Sequence, residues 1–286
     1  MVATDTVGSE TAAKTLEQGL DSRESAAGFH GVFKAKTIGD LEKVYDQWAE
    51  TFDKTVQFDL SGDGVNHPTV ELMQTLKNCK AEEILFKRLK NDRTMTEKTI
   101  ALDHCLNILD CGAGTGAAGK LIKEDLFGDI YYKGQGKDNI PRINLVAFDL
   151  SQGMLDKCDR SFYDALAKGA CPDMSAAVQA LGVIAKPTLG CFENCAKYDL
   201  TFCAGTFTPN HAPPTTLQKL VEITNTNGLI SFSIRTYFYE DETSGFKKEI
   251  ERLSSEKKWI QIACEERIYL PKENVSAKYF VFQVIV

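Results

Sequence analysis

Three glycines at alternate positions, Gly112, Gly114 and Gly116, follow directly on the short apolar run Asn107-Ile-Leu-Asp110. A helical pattern from Thr115 to Leu126 comes next, so the segment reads as a strand–loop–helix unit. Glycine permits the backbone conformations of a tight turn and lets a ligand approach the main chain. The following helix aims its free N–H groups at the same place. In open α/β sheets that place, beyond the carboxyl ends of the strands, is where ligands bind. The turn constrains fold class strongly and ligand identity less so. Gly114-Thr-Gly116-Ala-Ala-Gly119 also satisfies the G-x-G-x-x-G pattern of nicotinamide dinucleotide sites. A glycine turn that holds no ligand is the bland alternative.

The rest of the chain supplies strands and helices in alternation. Ile143-Asn-Leu-Val-Ala-Phe-Asp149 is nearly all apolar, as expected of a parallel strand buried on both faces. A carboxylate at its end, Asp149, can accept two hydrogen bonds from a ribose diol. Alternatively it is a favourable charge at a helix N-terminus. Ser151 is placed as the N-cap of a helix reaching Cys158. The interval from the glycine turn to Asp149 exceeds the spacing of about 20 residues usual for such an acidic residue. The excess is assigned to a surface insertion at 127–142, centred on Tyr131-Tyr-Lys-Gly-Gln-Gly-Lys-Asp138.

Helix is expected over 159–180 and a short strand over Gly182–Lys186. Tyr198–Cys203 reads as a strand, and Pro213–Thr224 as a helix opening on proline and stopping at Asn227-Gly228. Leu229–Ile234 is a further strand. Phe246, Ile250 and Leu253 line a helix. Trp259–Tyr269 and Lys278–Val286 form an antiparallel pair at the sheet edge. This order predicts an open, mainly parallel, Rossmann-like α/β sheet. Upstream, Leu41, Val44, Tyr45, Trp48 and Phe52 fall at helical spacing and predict an amphipathic helix over 38–56. After a break at Asn66-His67-Pro68, another helix is expected over 68–90. The expected division is a mobile tail at 1–31, a helical cap at 32–100 and the α/β core at 101–286.

Charge and cysteines weigh against several function classes. The 286 residues carry a formal net charge of −7. The densest basic run, Lys87-Arg88-Leu-Lys90-Asn-Asp-Arg93, is short, lies beside acids and reads as a solvated helix face. No nucleic-acid partner is expected. The nine cysteines are odd in number and scattered, with no C-x-x-C pair; Cys191-x-x-x-Cys195 lacks a second pair or a nearby histidine. No disulfide framework and no metal site are expected. Reduced thiols point to a cytoplasmic setting. No apolar run approaches the ~20 residues of a membrane helix. Residues 1–31 lack the apolar stretch of a secretory signal and are too acidic for a mitochondrial one.

At the level of motifs, Ile108-Leu-Asp-Cys-Gly-Ala-Gly-Thr-Gly116, Ala147-Phe-Asp-Leu-Ser-Gln-Gly-Met-Leu155 and Tyr198-Asp-Leu-Thr-Phe-Cys-Ala-Gly205 resemble, in order, those of class I S-adenosylmethionine (SAM)-dependent methyltransferases. The glycines begin two residues after Asp110, as in that class. A narrower likeness is to the small methyltransferase-like proteins named for the Williams–Beuren region and their microbial relatives. It rests on Tyr45-Asp-Gln-Trp48-Ala-Glu-Thr-Phe52-Asp53, Gly205-Thr-Phe-Thr-Pro-Asn-His211-Ala-Pro-Pro214, Gly228-Leu-Ile-Ser-Phe-Ser-Ile-Arg235 and the later Gly245-Phe and Lys258-Trp259. It spans roughly residues 40–286. The chain departs from it at Asn225-Thr-Asn-Gly228, where those proteins often have lysine-proline-glycine-glycine, and in its longer stretches before Ile143 and over 159–197.

The resemblance implies the class I methyltransferase fold: a mainly parallel seven-stranded sheet, one antiparallel edge strand, and helices on both faces. It implies SAM as cofactor and S-adenosyl-L-homocysteine as product. Gly112, Ala113, Gly114 and Gly116 would line the methionine end, with Asp110 helping to hold the ammonium. Asp149 would take the ribose, and Met154 would pack on the adenine. Leu150 and Ala204 are further cofactor-binding candidates, and Thr188 and Leu189 are candidates for the adenine pocket. Tyr45 and Trp48 would cover the cofactor; core packing is the alternative for both.

Methyl transfer from a sulfonium is an in-line displacement, so the protein mainly aligns the partners and excludes water. A base is needed only if the acceptor carries a proton. His211, beyond the fourth strand, is a candidate base or orienting group, or else a cap for the proline-led helix. Arg235 is a candidate partner for a substrate carboxylate, or else a surface ion pair with Glu240 or Asp241. Tyr45 completes the candidate catalytic set. Tyr237, Phe238 and Tyr239 are an aromatic wall or simple packing. Ala204-Gly-Thr-Phe207 lacks the aspartate/asparagine-proline-proline-aromatic signature of many amino-group methyltransferases, which disfavours adenine or glutamine acceptors. The expected function is methylation of a small molecule, with a carboxylate-bearing metabolite in view and a thioether acid among the candidates, by a monomer or homodimer. An NAD(P)-dependent oxidoreductase, and a protein-directed or non-catalytic SAM-binding protein, remain as alternatives.

Overall fold

The computed structural model describes residues 27–91, 105–128, 142–185 and 197–286. Its seven strands are β1 (Cys105–Cys111), β2 (Arg142–Asp149), β3 (Ala165–Lys168), β4 (Tyr198–Phe207), β5 (Thr224–Arg235), β6 (Trp259–Leu270) and β7 (Val275–Val284). They form one sheet in the order β3-β2-β1-β4-β5-β7-β6. Strands β1 to β5 run parallel, and β7 is antiparallel to both β5 and β6. The order reverses between β1 and β4, which opens a crevice at the carboxyl ends of those strands. This is the seven-stranded class I arrangement expected from the sequence, with the last two strands paired at the edge.

Alternation along each strand builds two cores. In β1, Leu106 and Ile108 face one side and Leu109 and Cys111 the other, all fully buried. Helices α1 (Ala27–Lys34), α2 (Ile38–Trp48), α3 (Phe52–Lys54, continuing as wider-wound turns over Thr55–Ser61), α4 (His67–Asn78) and α5 (Ala81–Asn91) join the first side. Helix α6 (Ala117–Lys120) follows the glycine turn and α7 (Gln152–Leu155) follows β2. On the second side lie α8 (Ser175–Ile184), α9 (Thr215–Ile223), then, after the short α10 (Thr236–Glu240), α11 (Phe246–Ser255). Phe246, Ile250 and Leu253 are buried on α11 as their spacing predicts. Among the described residues, no helix is long and apolar enough to cross a membrane. The seven described cysteines are free thiols.

Several boundaries differ from expectation. Residues 159–180 are not one helix: Ala165-Leu-Ala-Lys168 pairs with Val146–Asp149 as β3. The ladder beside β2 overrides the helical preference of alanine and leucine. Gly182 to Ile184 end α8 instead of forming a strand. The helix expected over 38–56 stops at Trp48 and resumes at Phe52. The one expected over 68–90 is divided between α4 and α5 by Lys80, which adopts a φ of 57°. Asn227-Gly228 lies inside β5, four residues beyond the end of α9. Arg88 is not a freely solvated cation: it pairs with the buried Asp199 carboxylate. Helix α1 starts at Ala27, within the expected tail. The insertion around Tyr131–Asp138, Thr188, Leu189, Cys191 and Cys195 lie outside the described residues.

Candidate active site

The glycine turn is held in place by backbone bonds to the end of β2. The amides of Gly112 and Ala113 both donate to the Phe148 carbonyl, at 2.8 and 3.1 Å. Gly112, Gly114 and Gly116 have φ of 72°, 54° and 87°, a region that disfavours any side chain. Gly112 is also crowded: a Cβ there would sit 2.3 Å from Thr206 Oγ1. That hydroxyl donates to the Cys111 carbonyl, so β4 is clipped to the start of the turn. Gly116 does something different. It faces Cys158 and the Tyr163 ring and is not in the wall of the cavity described below. Its lack of a side chain makes room for that packing, while its neighbours Thr115 and Ala117 line the cavity, and the nearby Gly119 likewise admits Tyr163.

Two carboxylates flank the turn, Asp110 buried and Asp149 partly buried. Asp149 Oδ2 accepts from the Gly114 amide and Oδ1 from the Ser151 amide, at 2.8 and 2.9 Å. It therefore couples the glycine turn to the loop after β2. Burial raises its pKa, with the backbone bonds opposing. Asp110 Oδ2 accepts from the Tyr163 hydroxyl at 2.6 Å. Burial pushes its pKa up to about 7; the Tyr163 bond opposes this and the Asp149 charge adds to it. Ser151 caps α7 as expected, accepting from the Met154 amide. Its hydroxyl also donates to Asp46 Oδ1 at 2.5 Å, and the Gly153 amide donates to the same oxygen at 2.9 Å. Asp46 thus fastens the cap helix α2 over the end of β2.

Between the cap and the strand ends lies a cavity of about 490 Å³, within the ~300–1,000 Å³ range of small-ligand sites. Tyr45, Trp48, Asp110, Gly112, Ala113, Gly114, Asp149, Leu150, Met154, Ala204, His211 and Arg235 all contribute to its wall. Gly116 is not in that wall, and Thr188 and Leu189 lie outside the described residues; the other candidates come together here. Trp48 is also a core residue, 5% exposed, with Nε1 donating to Thr55 Oγ1. It stacks on Tyr45 at 5.9 Å and meets Phe52 edge-on at 4.8 Å. The Trp48 ring fits because Gly28 of α1 has no side chain to occupy its place.

The far end of the cavity is built from three elements. Tyr45 of α2 reaches His211 in the loop after β4, where its hydroxyl bonds Nε2. His211 Nδ1 donates to the Pro209 carbonyl at 2.8 Å and lies 2.7 Å from Thr208 Oγ1. Burial lowers the His211 pKa to about 4, against the pull of the Pro209 carbonyl. The role of helix cap does not apply, since the ring bonds its own loop. Arg235, at the end of β5, is only 6% exposed. Its guanidinium lies 5.2 Å from the Tyr269 ring centre, and Nη1 donates to the Tyr237 hydroxyl. Its Nε has no partner. Among the described residues no carboxylate pairs with it, and Glu240 bonds Lys247 and Lys278 instead. The surface ion pair considered from sequence is therefore absent among the described residues. Phe238 and Tyr239 pack on Phe246 and Phe280, outside the cavity wall.

Sequence reasoning missed Tyr163, Thr206, Asp46 and Tyr269. Only Asp46 carried a signal, as the residue after Tyr45 on the cap helix. The other three become visible only when strands distant in sequence meet.

No family model and no curated protein matches the chain. Solved structures do. A SAM-dependent methyltransferase from Geobacter sulfurreducens in complex with S-adenosyl-L-homocysteine is 11% identical, with 82% of this chain and 98% of that one covered, at a TM-score of 0.42. Human methyltransferase-like protein 13, also in complex with S-adenosyl-L-homocysteine, is 13% identical over 73% of this chain and 82% of its own, at 0.39. A methyltransferase from Pyrococcus furiosus is 11% identical over 73% and 83%, at 0.39. The functional reading below rests on sheet order and cavity chemistry.

Proposed function

We propose that this chain is a SAM-dependent methyltransferase acting on a small, carboxylate-bearing acceptor. The observation that carries the proposal is the polarity of the cavity. Its glycine-turn end holds the carboxylates Asp110, buried, and Asp149, partly buried, and its far end holds the buried guanidinium of Arg235, which no carboxylate among the described residues pairs. A cofactor with an ammonium, a sulfonium and a ribose diol suits the first end. A dinucleotide would bring its pyrophosphate to the same turn, against two carboxyl groups. SAM is favoured over NAD on that count.

Asp110 would hold the ammonium, Asp149 the ribose, and Leu150 and Met154 the adenine side. Bound SAM would supply a methyl group already activated on sulfur. The protein's part is to align the acceptor and keep water out. Arg235 would fix the acceptor by its carboxylate through a charge-assisted pair, and the cap with Tyr45 and Trp48 would close over it. The cap and the acidic chain support a small molecule over a nucleic acid. The presence of Tyr45 and Trp48 in the cavity wall supports the narrower Williams–Beuren-type likeness.

Calorimetric titration tests the cofactor: SAM should bind, and tight NAD binding without SAM binding would overturn the reading. Methyl-labelled SAM added with a metabolite extract, followed by mass spectrometry, should reveal a labelled acid. Arg235→Ala should raise the acceptor KM while leaving SAM affinity intact; equal loss of both would refute the role of Arg235.

A further inference from the structure

The Tyr45–His211 pair carries more than cap closure. A carbonyl oxygen only accepts, so the bond from His211 Nδ1 to the Pro209 carbonyl places the ring proton on Nδ1. In the neutral ring Nε2 then keeps its lone pair, and the Tyr45 hydroxyl must be the donor to it. Tyr45 lines the cavity, and its hydroxyl makes no hydrogen bond among the described residues other than the one to His211, so its oxygen keeps the capacity to accept. A phenol that donates to a neutral imidazole and faces an acceptor pocket is set to pass a proton along.

We infer that Tyr45 and His211 form a proton relay, and that the acceptor is a hydroxyl, thiol or neutral amine that gives up its proton as it is methylated. The inference rests on the methyltransferase reading above. In the step, the methyl–sulfur bond breaks with its electron pair staying on sulfur, and the bond from methyl to the acceptor atom forms. The acceptor proton moves to Tyr45 Oη while the proton of Tyr45 moves to His211 Nε2. The positive charge of the sulfonium ends on the imidazolium. Tyr45 touches the acceptor and is catalytic; His211 acts through it and positions it. A thioether acid, which has no proton to lose, falls outside this class.

The surroundings agree. Tyr45 is faced by Asp149 at the end of β2, Arg235 at the end of β5 and Tyr269 on β6. Burial and the Asp149 charge disfavour a free phenolate, so Tyr45 conducts a proton without storing the negative charge. His211 is faced by Arg235 as well as by Tyr45, Thr208 and the Pro209 carbonyl. Burial first, and then the Arg235 charge, hold its pKa low. A carboxylate bound on Arg235 removes that second opposition, so the relay gains basicity when the acceptor is in place.

The competing explanation is a clasp that only ties α2 to the core. The test uses the full chain. Histidine-labelled NMR, with His211 identified by comparison with His211→Asn, should show the Nδ1–H tautomer at neutral pH. An Nε2–H tautomer overturns the relay whatever the acceptor is. With methyl-labelled SAM and a metabolite extract, the product should be a methyl ether, thioether or amine whose acceptor atom has lost a proton; a methyl ester, formed from a carboxylate with no proton to lose, overturns the relay. A sulfonium product overturns the relay while leaving the methyltransferase reading intact, whereas failure to bind SAM sinks that reading itself. On the acceptor so found, Tyr45→Phe should lower kcat by about 100-fold with unchanged SAM affinity. His211→Asn should abolish the acid limb of the kcat–pH profile. Weaker SAM binding at unchanged kcat in Tyr45→Phe is the clasp result and overturns the proposal.

Discussion

Replacing Asp110 by asparagine separates the penalty of a buried carboxyl from its use. Asp110 is 2% exposed, and burial is the main cause of its raised pKa of about 7. Against an ordinary aspartate near 4, a shift of about 3 units corresponds to roughly 4 kcal/mol. The folded pKa lies above the unfolded one, so the folded chain holds this proton more tightly. The stabilisation is complete below about pH 4 and is lost as pH rises through about 7. Asparagine has nearly the same shape, bears no charge, and can still accept from the Tyr163 hydroxyl. The residue lines the cavity. Asp110→Asn should therefore match wild type near pH 4 and exceed it at pH 8, by at most about 4 kcal/mol. With an unfolding entropy of about 2.1 cal/mol/K per residue, that bound is a Tm rise of about 7 °C for a chain of this length.

Thermal unfolding of the ligand-free protein at several pH values, followed by circular dichroism, measures the difference between the two chains. Other titrating groups are common to both and cancel. Under the proposed function the same substitution weakens SAM binding, because the cofactor ammonium loses a charged partner worth about 1.5–3 kcal/mol. SAM affinity of wild type should rise as pH passes about 7, and Asp110→Asn should remove that rise. Equal destabilisation of Asp110→Asn at pH 5 and pH 8 would refute the reasoning, since it would mean that a neutral partner, not a charge, was lost.

Gly112→Ala should lose about 2–3 kcal/mol in urea unfolding, from its left-handed φ and from contact with Thr206; adding Thr206→Ala should recover only the contact part. Ser151→Ala removes both the cap of α7 and the donor to Asp46. It should cost about 1–2 kcal/mol and weaken SAM binding, measured by calorimetry, because α2 is no longer fastened. Arg235→Met should raise the Tm of the ligand-free chain, since a buried cation without a carboxylate partner is replaced by an apolar side chain of similar length; a fall in Tm would show that the Tyr269 and Tyr237 contacts already outweigh its desolvation.

The fold was legible wherever a pattern was local. The apolar run of β2, the near-alternation of β6 and β7, and the glycines after β1 each state their conformation within a few residues. What failed was also local in cause. Ala165-Leu-Ala-Lys168 has the composition of a helix and becomes a strand because β2 presents an open edge beside it. Lys80 divides two helices with nothing in its neighbours to announce a left-handed residue. Arg88 reads as one cation in a basic run, yet its partner Asp199 lies more than a hundred residues away on β4.

The two ends of the cavity differ in the same way. Asp110, the glycines and Asp149 sit at strand ends, where the topology alone sends them to the crevice. Even there a glycine motif mixes roles, for Gly116 also leaves room for Cys158 and the Tyr163 ring. The far end had only isolated candidates in sequence: a tyrosine on a cap helix, a histidine in a proline-rich loop, an arginine after a strand. Each had an ordinary alternative. Packing narrows those alternatives by setting His211 Nδ1 against the Pro209 carbonyl and by burying Arg235 where no carboxylate among the described residues pairs with it. A cofactor site can be read from a chain because one β–loop–β unit builds most of it. An acceptor site is assembled from the ends of several elements, so its chemistry resides in which groups are left unsatisfied once the core has formed.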